Sequence, residues 1–209
     1  LYEVKIPDSV TKIGSYAFAN CPYLQEIILP ANLRQVPNGM CCNCISLRKA
    51  SIPAKVMRIN TWAFYGCANL RDLTISGTCY VGNHAFDGCE ALSALHGDPI
   101  RSIGVAAFNG CAALSFAELS AASAFSKDAF NGCTQLSAIS NVHGVHIDGG
   151  AFKGTALNEL DCPSGLVSIG DRAFEGCRSL TAVSFDTALS TVHPLAFAMC
   201  DAISGITYD

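Results

Sequence analysis

The chain has 209 residues, half of them apolar and only 14% charged, with 17 acids against 13 bases. So much apolar surface and so little charge excludes a disordered chain, and the acidic balance argues against a nucleic-acid binder, whose affinity rests on neutralising phosphates. Mean hydropathy is positive at +0.33, yet no stretch of about 18 residues lacks both charge and turn residues, so no spanning helix or membrane insertion by this segment is expected.

The chain opens on Tyr2-Glu3-Val4-Lys5-Ile6-Pro7, where apolar residues alternate and a proline closes the phrase. This is the pattern of a half-buried strand, ended by a residue that cannot donate to a ladder. Val10-Thr11-Lys12-Ile13-Gly14 follows, a second short extended segment turned by glycine. Ala17-Phe18-Ala19-Asn20-Cys21 comes next, and a short helical turn is expected there. Then Leu24-Gln25-Glu26-Ile27-Ile28-Leu29-Pro30 starts the order again.

That order fills the chain. Ala63-Phe64-Tyr65-Gly66-Cys67 returns as Ala85-Phe86-Asp87-Gly88-Cys89, Ala107-Phe108-Asn109-Gly110-Cys111, Ala129-Phe130-Asn131-Gly132-Cys133 and Ala173-Phe174-Glu175-Gly176-Cys177. Looser copies are Ala151-Phe152-Lys153-Gly154-Thr155, with Thr for Cys, and Ala196-Phe197-Ala198-Met199-Cys200. In Met40-Cys41-Cys42-Asn43-Cys44 the Phe slot holds Cys41. The slot recurs at 18, 41, 64, 86, 108, 130, 152, 174 and 197, at intervals of 22 or 23 residues. One coil of that length cannot bury its own apolar face, whereas stacked coils can. The expected fold is mostly β: a right-handed, curved solenoid of about nine repeats, with short helical turns on its outer side. Residues 1–209 form a single domain with no room for a linker.

The phrasing Leu-x-x-Ile-x-Leu-Pro, Ile-Gly, Ala-Phe-x-Gly-Cys closely resembles the BspA-like leucine-rich repeat family, and the resemblance spans the whole chain. It implies a leucine-rich repeat fold and a place on a cell surface or among secreted proteins. It also implies adhesion to host proteins or other cells, and no catalytic residues. The cysteines themselves leave the compartment open, and an intracellular scaffold that positions other proteins is the alternative.

Twelve cysteines suggest disulfides or zinc until their spacing is read. Cys21, Cys44, Cys67, Cys89, Cys111, Cys133, Cys177 and Cys200 occupy one repeat slot. They are expected to form a buried ladder of free thiols, one per coil. Cys41 and Cys44 make a lone C-x-x-C with no second pair near it in sequence, and zinc needs four ligands. No metal and no cofactor is expected. His143 and His146 are read as a polar loop. Nucleophile, phosphate-loop and dinucleotide motifs are absent, and the chain is read as non-enzymatic.

Strand alternation assigns residues beside the inward positions to an outer, concave face. Glu3, Glu26, Asp72, Asp98, Glu118, Glu159, Asp161, Asp186 and Asp209 fall there, opposed only by Lys5 and Lys49. Nine of the 17 acids but two of the 13 bases imply an acidic strip that steers a basic segment of a protein partner. Tyr16, Trp62 and Tyr65 sit in slots that elsewhere hold charged residues, so they are candidate exposed anchors. Both ends of the chain are strand phrases without a cap. Further repeats, a flanking domain or another subunit are expected to cover them.

Overall fold

The computed structural model describes residues 2–208 apart from 98–99, 120–121, 123, 141–145 and 162–164, with the backbone alone at 96, 97, 118, 140, 161 and 208. From the second coil on, a longer strand is followed by a two-residue strand and then a run of turns; in the first coil the extended segment expected at residues 10–14 forms no strand. In chain order the strands are β1 (Glu3–Lys5), β2 (Glu26–Ile28), β3 (Gln35–Val36), β4 (Lys49–Ile52), β5 (Arg58–Ile59), β6 (Asp72–Ile75), β7 (Tyr80–Val81), β8 (Ala94–Gly97), β9 (Ser102–Ile103), β10 (Phe116–Glu118), β11 (Ala124–Phe125), β12 (Ala138–Ser140), β13 (His146–Ile147), β14 (Glu159–Asp161), β15 (Ser168–Ile169), β16 (Ala182–Phe185), β17 (Thr191–Val192) and β18 (Gly205–Tyr208).

The longer strands pair in parallel from β1 through β12 and again from β14 through β18. The short strands form one parallel ladder of eight, from β3 to β17. Register follows the repeat, so that Glu26 lies beside Lys49, Lys49 beside Asp72, and Arg58 beside Tyr80. The division between β12 and β14 coincides with the copy that has one residue fewer between Phe152 and Leu157.

The expected helical turns are not formed. Among the described residues there is no helix, and Ala-Phe-x-Gly-Cys is a run of turns. Its two ends are left-handed, with Trp62 at φ 59° and Gly66 at φ 68°. Only three residues lie between them, too few to propagate a helix. The amides instead alternate between two destinations. Those of Trp62, Phe64 and Gly66 donate to the carbonyls of Asn83, Ala85 and Asp87 in the next coil. Those of Ala63, Tyr65 and Cys67 donate back to Asn60, Trp62 and Phe64. The turn side is thus hydrogen-bonded from coil to coil much as the strand sides are.

The core consists of columns. Phe64, Phe86 and Phe108 stack at 5.3 Å between centroids, and the column continues through Phe130, Phe152, Phe174 and Phe197. Cys41 interrupts it below Phe64. The repeat-slot cysteines form a second column of free thiols. Cys89 Sγ donates to the Phe64 carbonyl of the preceding coil at 3.2 Å, and Cys133 to that of Phe108 at 3.1 Å. Thr155, in the same slot, donates within its own coil to the Phe152 carbonyl at 2.9 Å and lies 3.2 Å from Cys177 Sγ.

Candidate functional site

Alternation on the longer strands turns Glu3, Glu26, Lys49 and Asp72 outward in one row, while Val4, Ile27, Ala50 and Leu73 turn inward; on β14, in the separate ladder, Glu159 turns outward and Leu160 inward. Lys49 Nζ lies 2.9 Å from Glu26 Oε1. The bond to Glu26 raises the lysine's pKa, and Asp72 and Glu3 add to that shift. The row is therefore mixed in sign in its first coils. Farther along, Glu159 stands at the rim of a shallow depression of about 270 Å³, floored by Ala182, Ser184, Gly205 and Thr207. Small residues in the next two coils leave this space open beside the carboxylate.

Asp186 does not belong to this face. It follows the end of β16, and its carboxylate accepts the amides of Gly165 and Ala188, each at 2.9 Å. It closes a turn, as aspartate does by bonding the backbone two residues on. Glu118 and Asp161 lie on β10 and β14, described here by backbone alone. Asp98, Asp209, His143 and Cys162 fall outside the described residues.

The three aromatic candidates separate into two places. Tyr16 is 49% exposed, and its ring lies over Gly39 of the next coil, where a β-carbon would collide with it. Trp62 and Tyr65, 43% and 38% exposed, lie on one turn, closed by the Tyr65 amide on the Trp62 carbonyl. With Cys42, His84 and Asp87 they line a depression of about 420 Å³. His84 Nδ1 is 2.8 Å from Asp87 Oδ2, and Asn109 donates to Asp87 Oδ1 at 2.8 Å. Both oxygens of this carboxylate are occupied. The Trp62 and His84 rings lie 6.4 Å apart.

A second groove, of about 270 Å³, runs over the short-strand ladder beside it. Arg58, Asn60, Thr61, Tyr80, Asn83 and Ser102 line it, with Gly82 and Gly104 in the floor. The Arg58 guanidinium sits 5.1 Å above the centre of the Tyr80 ring. Neither the His84–Asp87 pair nor the Arg58–Tyr80 stack was read from the sequence. The spacing of 22 residues from Arg58 to Tyr80 was the available signal.

Burial acts against the thiolate form at several of the described cysteines. Burial pushes Cys67, Cys89 and Cys111 up, and Cys79 to about 11. Cys44 is lowered by a hydrogen bond from Cys41, which is itself raised by the same bond. Among the described residues, no group of three or more His, Cys, Asp or Glu side chains could hold a metal ion. No helix among them is long and apolar enough to cross a membrane.

The BspA type leucine-rich repeat region matches residues 1–115, 78–155 and 123–209, in six copies. No curated protein matches the chain. Among solved structures, a leucine-rich repeat protein from Bacteroides ovatus is 25% identical, with a TM-score of 0.68 over 98% of this chain. This chain spans 60% of that protein's length. The leucine-rich repeat protein of T. pallidum is 21% identical, with a TM-score of 0.52, and the match covers 97% of this chain and 72% of that one. The phrase that repeats through the sequence, the stacked parallel ladders and the family match agree: the chain belongs to the BspA-type leucine-rich repeat family.

Proposed function

We propose that this chain is a non-enzymatic protein-binding module of a cell-surface adhesin or receptor-like protein, and that its partner presents a basic segment to the longer-strand face. The observation that carries this reading is the outward placement of acids on the longer strands. Glu3, Glu26 and Asp72 project in one row and Glu159 from the separate ladder, against Lys5 and Lys49. Exposed pairs are individually weak, so the face acts through steering and salt dependence more than through any one bond.

The test compares the native chain with one in which Glu3, Asp72 and Glu159 are all changed to lysine. A lysine-rich peptide serves as the probe, with association followed at low and high salt. The native chain should associate faster at low salt, and the variant should lose that advantage. Equal association by the two chains would overturn the reading.

A further inference from the structure

Three of the exposed rings, those of Trp62, Tyr65 and Tyr80, share two neighbouring coils with Arg58. Trp62 and Tyr65 belong to one coil and Tyr80 to the next, and Arg58 is held over Tyr80. Trp, Tyr and Arg are the residues in which binding energy concentrates at protein interfaces. The largely apolar depression at Trp62 and the polar groove at Arg58 adjoin through Thr61–Trp62 and Asn83–His84, consecutive residues in the two coils. The backbone bends sharply at that corner, with Trp62 and His84 both left-handed at φ 59° and 53°.

The two compartments differ in chemistry. Among the described residues, Arg58 is the only charged side chain lining the groove. Its guanidinium is fixed on a ring face, which leaves its edge donors for a planar anion. The depression has a carboxylate, Asp87, already engaged by His84 and Asn109. An anionic ligand group is therefore directed to the groove, and an apolar side chain to the depression.

We propose that this corner binds an acidic peptide segment of a protein partner, with a carboxylate on Arg58 and a large apolar side chain between Trp62 and Tyr65. The surface is distinct from the acidic strand face, so either proposal can fail alone.

The test is selection of random heptapeptides displayed on phage against the 209-residue chain, with counter-selection on the Trp62→Gly variant. Glycine already occupies this slot at Gly39 and Gly150, both with positive φ, so the variant keeps its fold. Enriched peptides should pair Asp or Glu with an aromatic or large aliphatic residue. They should change the fluorescence of Trp62, the chain's single tryptophan. Arg58→Gln should weaken them at least about tenfold. Peptides that bind the Trp62→Gly variant equally well, or that lack an acid, would overturn the proposal. So would a failed selection together with a Trp62 response to chondroitin sulfate, which would make the corner a glycan site.

Discussion

The thiol of Cys111 donates to the backbone carbonyl of Phe86, one coil earlier, at 3.3 Å. That carbonyl already accepts the amide of Cys89, so the thiol takes its second lone pair. Cys67, Cys177 and Cys200 make the same reach to the Phe-slot carbonyl of the preceding coil. Cysteine suits the slot because it is small and apolar yet carries a weak donor. Cys111→Ala should lower stability by about 1–2 kcal/mol, from the lost bond and the space left behind. Denaturant unfolding measures this. An unmoved midpoint would show that neither the thiol's bond nor its volume contributes to stability.

Alkaline stability follows from the buried thiols. In the unfolded chain these groups titrate near 9.0, whereas burial holds Cys79 at about 11 and Cys67 and Cys111 well above the ordinary value. The folded state therefore keeps protons that the unfolded state sheds. Stability is intact below the unfolded pKa and falls as pH rises past it, for Cys79 across the window from about 9 to 11. The urea midpoint, measured under reducing conditions, should decline steadily through that window. A flat profile would mean that the thiolates are not penalised by burial.

The repeat made the fold readable before any coordinate. The Phe slot gave the column, the Cys slot gave the second column, and alternation gave the strand faces. The surface was only partly readable. Asp186 was assigned to the strand face because alternation was carried past Phe185, where the strand has ended and the chain turns. A tally of signs also hid the Lys49–Glu26 contact, which depends on register between coils. The Ala-Phe-x-Gly-Cys phrase reads as helical locally, but left-handed residues at both ends prevent it. Arg58–Tyr80 escaped because each residue was judged within one copy, and a solenoid surface is made by neighbouring copies; His84–Asp87 lies within one copy and depends on the turn that brings i and i+3 together.

The second left-handed slot offers a stabilising change. It holds glycine at Gly66, Gly88, Gly110, Gly132, Gly154 and Gly176, but Met199 in the last copy, at φ 59°. A side chain there costs about 1–2 kcal/mol, and Met199 is exposed, so little packing is lost. Met199→Gly should raise stability by up to about 1 kcal/mol. The converse, Gly132→Ala, should lower it through φ rather than through crowding, because the nearest atom to the new β-carbon is 3.7 Å away. A thermal melt of each variant checks the pair, and opposite signs are required.

Cooperativity along the solenoid depends on the phenylalanine column. Phe108 stacks on Phe86 and on Phe130, each at 5.3 Å and within 8° of parallel. It is fully buried. Phe108→Ala should cost about 3–5 kcal/mol, the usual range for an aromatic ring removed from a core. In a solenoid each coil contacts only its neighbours, so the loss falls on one junction rather than on the whole. The coils before and after residue 108 should then unfold with different midpoints. Trp62 fluorescence reports the earlier coils alone, since the chain has one tryptophan, and circular dichroism reports all of them. In the native chain the two signals should coincide, as a single cooperative transition requires. In the Phe108→Ala variant they should separate, and coincident curves in the variant would show that coupling between coils does not run through this column.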